Sequence, residues 1–120
     1  MRYRIACSTL GINMRIARIG KLTFRQTSEE FEGFDWNEPN RDRHFAKHGI
    51  DFPIVAEVDW SKILKAPDTR KRYHPQRSVC LAFCPKLGRV LVIVYEKTDG
   101  VGTIISVRLA NHVEEKLFHA

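Results

Sequence analysis

His44 and His48 stand four positions apart in RHFAKHGI, with Arg43 before them and Lys47 between them. On a helix this spacing puts both imidazoles on one face. Two imidazoles can share a zinc ion, one can move protons near neutral pH, and the cationic group as a whole can meet a phosphate. A zinc protease of the helical two-histidine type needs glutamate directly after the first histidine, and Phe45 occupies that position. No third ligand follows nearby, and Cys80 and Cys84 lack the spacing of a metal-binding loop. The expectation is therefore no metal and no other cofactor.

The phosphate reading gains from two distant arginines. Arg77 opens a strand pattern in QRSVCLAFC, and Arg108 closes another in GTIISVR. A guanidinium presents a planar fork of donors to phosphate oxygens and keeps its charge at any relevant pH. Arg77, Arg108, Lys47 and His48 could converge on one oxyanion if the sheet brings the strand ends together. Plainer roles stay open: Lys47 and His48 suit the negative end of a helix, and the arginines could pair with Glu96, Glu114 or Glu115. Cysteine chemistry fares worse, because Cys80 and Cys84 sit in an apolar strand pattern that disfavours the thiolate. Three cysteines without a CxxC fit a reduced, cytoplasmic chain with buried thiols.

The net charge of +6 is unevenly placed. Residues 1–27 carry Arg2, Arg4, Arg15, Arg18, Lys21 and Arg25 and no acid, and the remainder is formally neutral. Within that remainder KILKAPDTRKRYHPQR gathers six basic side chains against Asp68. Such a run is ordinarily a solvated loop. Arg70, Lys71 and Arg72 nevertheless offer backbone contacts to RNA, with Tyr73 as the exposed ring that could stack on a base. Trp60 follows an apolar pattern and reads as core.

The elements that must position these groups are legible in part. Asn37 can cap a helix over about 38 to 48, with Pro39 in its first turn and Gly49 as its stop. That helix places Arg41, His44, Phe45 and His48 on one side. Asp51 and Pro53 open a second short helix. Strands follow at 78–84, 89–97 and 102–108, with a further one near 62–65, and a short helix closes the chain. The expected fold is α+β: two N-terminal helices, a three- to four-stranded antiparallel sheet and a C-terminal helix. Residues 1–31 read as a basic N-terminal extension with short strands around Tyr3–Cys7 and Met14–Ile19, and 32–120 as the domain. At 120 residues one core is the expectation, and no apolar run approaches the ~20 residues of a membrane span. The N-terminus lacks the continuous apolar stretch of a secretory signal.

Residues 34–120 resemble the BrnT family. The resemblance is carried in order by FDWNE, KHGID, FPIVAEV, QRSVCLAF, LVIVYEK and IISVRLANHVEE. The chain departs from the family pattern at Asn37, His44, Gln76, Thr103 and Phe118. The resemblance implies a RelE-like ribonuclease toxin of a type II toxin–antitoxin pair that cuts RNA without metal and slows translation. Its partners would be an RNA substrate and a cognate antitoxin, ribbon-helix-helix-like and of BrnA type, with self-association left open. Arg77 and Arg108 would then stabilise the charge on the scissile phosphate, His48 would serve as acid or base, and Lys47 would assist. Arg41, His44, Arg70, Lys71, Arg72 and Tyr73 would bind RNA. Two alternatives are a non-catalytic module that binds RNA or protein, and a zinc-dependent hydrolase using His44 and His48.

Overall fold

The computed structural model describes residues 3–7, 13–73 and 75–120. In chain order the elements are β1 (Tyr3–Cys7), β2 (Asn13–Ile19), β3 (Leu22–Thr27), β4 (Gly33–Trp36), α1 (Glu38–His48), a 3-10 helix (Phe52–Glu57), β5 (Ile63–Pro67), β6 (Ser78–Cys84), β7 (Arg89–Thr98), β8 (Val101–Leu109) and α2 (His112–His119). The strands form one sheet in the order β1-β2-β3-β5-β6-β7-β8-β4. All neighbours are antiparallel except β4 and β8, which run parallel from Gly33–Val101 to Trp36–Ile104.

Both faces of this sheet are covered, which explains the runs of apolar residues in its central strands. One face packs Cys80, Leu91, Ile93, Tyr95 and Ile104 against Phe52 and Val55 of the 3-10 helix. The other packs Leu81, Val90 and Val92 against Phe24 of β3 and Leu117 of α2. Alternate residues of β6 and β7 therefore feed separate cores, so neither side of these strands can be polar.

The architecture is α+β, as the sequence suggested, but its parts differ from the expectation. The sheet has eight strands rather than three or four, and it is mixed. The residues 1–31 supply β1, β2 and β3, and Ala17, Leu22 and Phe24 are buried in the second core. Only one of the two expected early helices is an α-helix, and four strands precede it. The segment after Gly49 is a six-residue 3-10 helix closed by i→i−3 bonds: the Ile54 N–H donates to the Asp51 carbonyl and the Val58 N–H to the Val55 carbonyl.

α1 is set by local signals. Asn37 accepts a hydrogen bond from the Asn40 backbone N–H at 3.0 Å. Gly49 takes the left-handed conformation at φ 71° and donates its N–H to the Phe45 carbonyl. The helix buries none of its residues. It is tied instead by Asn40, whose side-chain amide donates to the Ile105 carbonyl of β8, and by Arg41, which forks onto Asp51 at 2.7 and 2.8 Å. No helix among the described residues is long and apolar enough to cross a membrane.

Candidate phosphate-binding cleft

Arg77 and Arg108 line one cleft of about 650 Å³ together with Arg70 and Tyr73. This volume lies within the range of ordinary ligand sites. Its floor is the second face of the sheet, including Val79, Val92 and Val94. Arg77 precedes Ser78, the partner of Tyr95 on β7, and Arg108 is opposite Val92. From that register the two Cα atoms are roughly 13 Å apart along β7 and 10 Å across the strands. The arginines therefore hold two ends of one cleft rather than converging on a single point.

Each arginine is oriented by a carboxylate of the same chain. Arg77 Nε donates to Glu96 at 2.9 Å, and its guanidinium lies 4.4 Å from the centre of the Tyr73 ring. Arg70 forks onto Asp68, which is 1% exposed and whose carboxyl those hydrogen bonds hold below the ordinary aspartate value. Arg108 donates from both terminal nitrogens to Glu114. Burial alone would raise the Glu114 carboxyl, but the Arg108 donors and the Asn111 N–H outweigh it and keep it low. Glu114 also completes the capping box of α2 with Asn111. The start of that helix is thereby fixed to the cleft.

The remaining expected site residues lie elsewhere. His44 stacks near Phe52, with ring centres 5.5 Å apart, and His48 lies 5.5 Å from His44. Phe52 belongs to the opposite core. The α1 histidines and Lys47 are absent from the cleft lining, and the four-residue convergence of Lys47, His48, Arg77 and Arg108 is not assembled. The reason is strand parity: Arg77 and Arg108 share the side of Val79 and Val92, whereas α1 sits over the side of Ile104. His44 is held below its ordinary value by burial first and then by His48, Arg43 and Lys47. Arg41 is engaged with Asp51 and lies over Trp36, a structural tie between α1 and the following turn. Lys71 and Arg72 are exposed in the loop beside Arg70.

Among the described residues no three His, Cys, Asp or Glu side chains are grouped to hold a metal ion. Cys80 and Cys84 are buried, free thiols, and burial pushes Cys80 upward. The Cys7 side chain lies outside the described ones. Trp60 packs on the first core and donates its indole N–H to the Val55 carbonyl. Lys21, Asp68 and Ser106 also line the cleft and were not singled out from sequence. The strand alternation around Lys21 was the available signal.

A mixed sheet covered on both faces, with a guanidinium-lined cleft on one of them, defines a compact α+β domain. The model of the family described as ribonuclease toxin, BrnT, of type II toxin-antitoxin system matches residues 36–114, and the chain belongs to that family. Among solved structures, the crystal structure of the Brucella abortus ribonuclease toxin BrnT is similar, with 20% identity and a TM-score of 0.46. The similarity covers 67% of this chain and 97% of that one. No curated protein sequence matches the chain.

Proposed function

We propose that this BrnT-family toxin is a metal-independent endoribonuclease whose cleft binds the RNA backbone. Arg77 and Arg108 contact neighbouring phosphates, and Arg70 with Tyr73 extends the surface along the strand. The carrying observation is that Arg77 and Arg108, far apart in sequence, line the same cleft. In the reaction the ribose 2′-oxygen bonds to phosphorus, the bond to the 5′-oxygen breaks, and the proton lost by the 2′-hydroxyl is balanced by one gained at the leaving oxygen. Negative charge accumulates on the non-bridging oxygens. The Arg77 guanidinium at the scissile phosphate stabilises that charge more in the transition state than in the ground state, while Arg108 holds the neighbouring phosphate in position.

No imidazole lines the cleft among the described residues, so His48 is not given the proton transfer and Lys47 is not given the phosphate. Cleavage would restrain translation by removing RNA. A ribbon-helix-helix-like antitoxin would silence the toxin by covering the same cations with acidic groups. The alternative, a module that binds RNA without cutting it, is favoured by one observation: all three cleft arginines already have carboxylate partners.

Incubation of the purified chain with RNA, with and without EDTA, tests the reading. Cleavage that persists in the chelator is the expected result. Binding without cleavage supports the alternative, and cleavage abolished by EDTA contradicts metal independence.

A further inference from the structure

The cleft has a second wall that lies outside the family-matched residues. β2 and β3 pair as a hairpin from Ile16–Arg25 to Ile19–Leu22, leaving Gly20 and Lys21 as a two-residue turn. Gly20 adopts φ 58°, which suits the first central position of a type II′ hairpin, where glycine carries no steric penalty. Buried Ala17, Leu22 and Phe24 anchor the hairpin in the core beneath. Its turn is thereby held at the cleft, which Gly20 and Lys21 line together with Arg70, Arg77 and Arg108.

The charges give this wall its significance. Arg70, Arg77 and Arg108 are each offset by a carboxylate: Asp68, Glu96 and Glu114. Lys21 makes no ion pair among the described residues. The uncompensated positive charge of the cleft therefore comes from the hairpin. A compact ammonium on a flexible stem suits a phosphate as a point charge, without the geometric demand of an arginine fork.

We infer that the β2–β3 hairpin is a substrate-binding wall and that Lys21 contacts a phosphate of single-stranded RNA in the cleft. This rests on the cleft being the RNA site. The hairpin turn and the guanidiniums line one cleft, so the backbone of an unpaired strand bound there meets Lys21 as well as the arginines.

The test uses the full chain and a short, fluorescein-labelled single-stranded RNA made uncleavable by 2′-O-methylation. Anisotropy titrations at several salt concentrations compare the wild type with Lys21→Glu, Lys21→Arg and Lys86→Glu. Lys86 is in the β6–β7 turn, outside the cleft lining, and controls for net charge. Lys21→Glu should weaken binding about tenfold and reduce the salt slope by roughly one, as expected for one lost phosphate contact. Lys21→Arg should bind like the wild type, and Lys86→Glu should change affinity less than twofold. With cleavable RNA, Lys21→Glu should raise KM and leave kcat unchanged. Equal weakening by Lys21→Glu and Lys86→Glu, or none by Lys21→Glu, overturns the inference while leaving the arginine cleft intact. A wild type that binds no RNA overturns both.

Discussion

Arg108 donates from its two terminal guanidinium nitrogens to the two carboxylate oxygens of Glu114, each at 2.8 Å. The Glu114 side chain is 8% exposed, and one of its oxygens also accepts the Asn111 backbone N–H. One carboxylate thus aims the cleft arginine and starts α2. Removing Arg108 alone leaves that carboxylate largely buried without its cation. Arg108→Ala should therefore destabilise the chain by about 1–3 kcal/mol, besides impairing RNA cleavage. Pairing the change with Glu114→Gln removes the orphaned charge while keeping a capping-box side chain. The double variant should melt closer to the wild type than Arg108→Ala and remain defective in cleavage. A double variant that cleaves normally would exclude Arg108 from the site.

The same ion pair sets an acid response. Glu114 and Asp68 both titrate below their ordinary values in the folded chain. The stabilisation is present above the unfolded carboxylate values of about 4 and is lost as pH falls through the lower folded values. Thermal melts should therefore decline below about pH 4, and Glu114→Gln should make that decline shallower. An unchanged acid limb in Glu114→Gln would show that Glu114 does not carry the linkage.

The N-terminal strands are structural. Phe24 is 2% exposed and packs in the core shared with Leu81, Val92 and Leu117. Phe24→Ala should cost about 3–5 kcal/mol, measured by denaturant unfolding. Deleting residues 1–27 should yield a chain that aggregates, since β5 would lose its antiparallel neighbour β3 and expose its edge. A cooperative unfolding transition of wild-type midpoint in the deletion would contradict this.

Local chemistry made part of this molecule legible. Asn37, Pro39 and Gly49 define α1 within a few residues, and the β-branched runs around Cys80, Ile93 and Ile104 define β6, β7 and β8. What escaped was non-local. β1 and β2 read as short strands around Tyr3–Cys7 and Met14–Ile19, as found. β3 does not stand out: it sets only Leu22 and Phe24 between polar or basic residues, and its pairing with β5 is distant in sequence. The parallel pairing of β4 with β8 has no signature in either segment. Four of the candidate residues read from sequence, Arg77, Arg108, Arg70 and Tyr73, share one cleft. The sidedness of the site was not legible, because a strand residue changes face with a single step in register. The irregularity between Val94 and Tyr95, where β7 meets β8, is invisible in sequence. That parity separates His48 and Lys47 from the arginines.

Single-turnover cleavage of single-stranded RNA in EDTA by Arg77→Ala and His48→Ala tests the cleft most directly. Arg77 is paired at a partly open site, so its loss leaves the fold intact, as circular dichroism should verify. The expected result is a rate lowered about 100- to 1000-fold in Arg77→Ala, with His48→Ala within a few-fold of the wild type. Wild-type cleavage by a folded Arg77→Ala chain, with activity abolished by His48→Ala, would move the reaction to the α1 face and contradict the cleft.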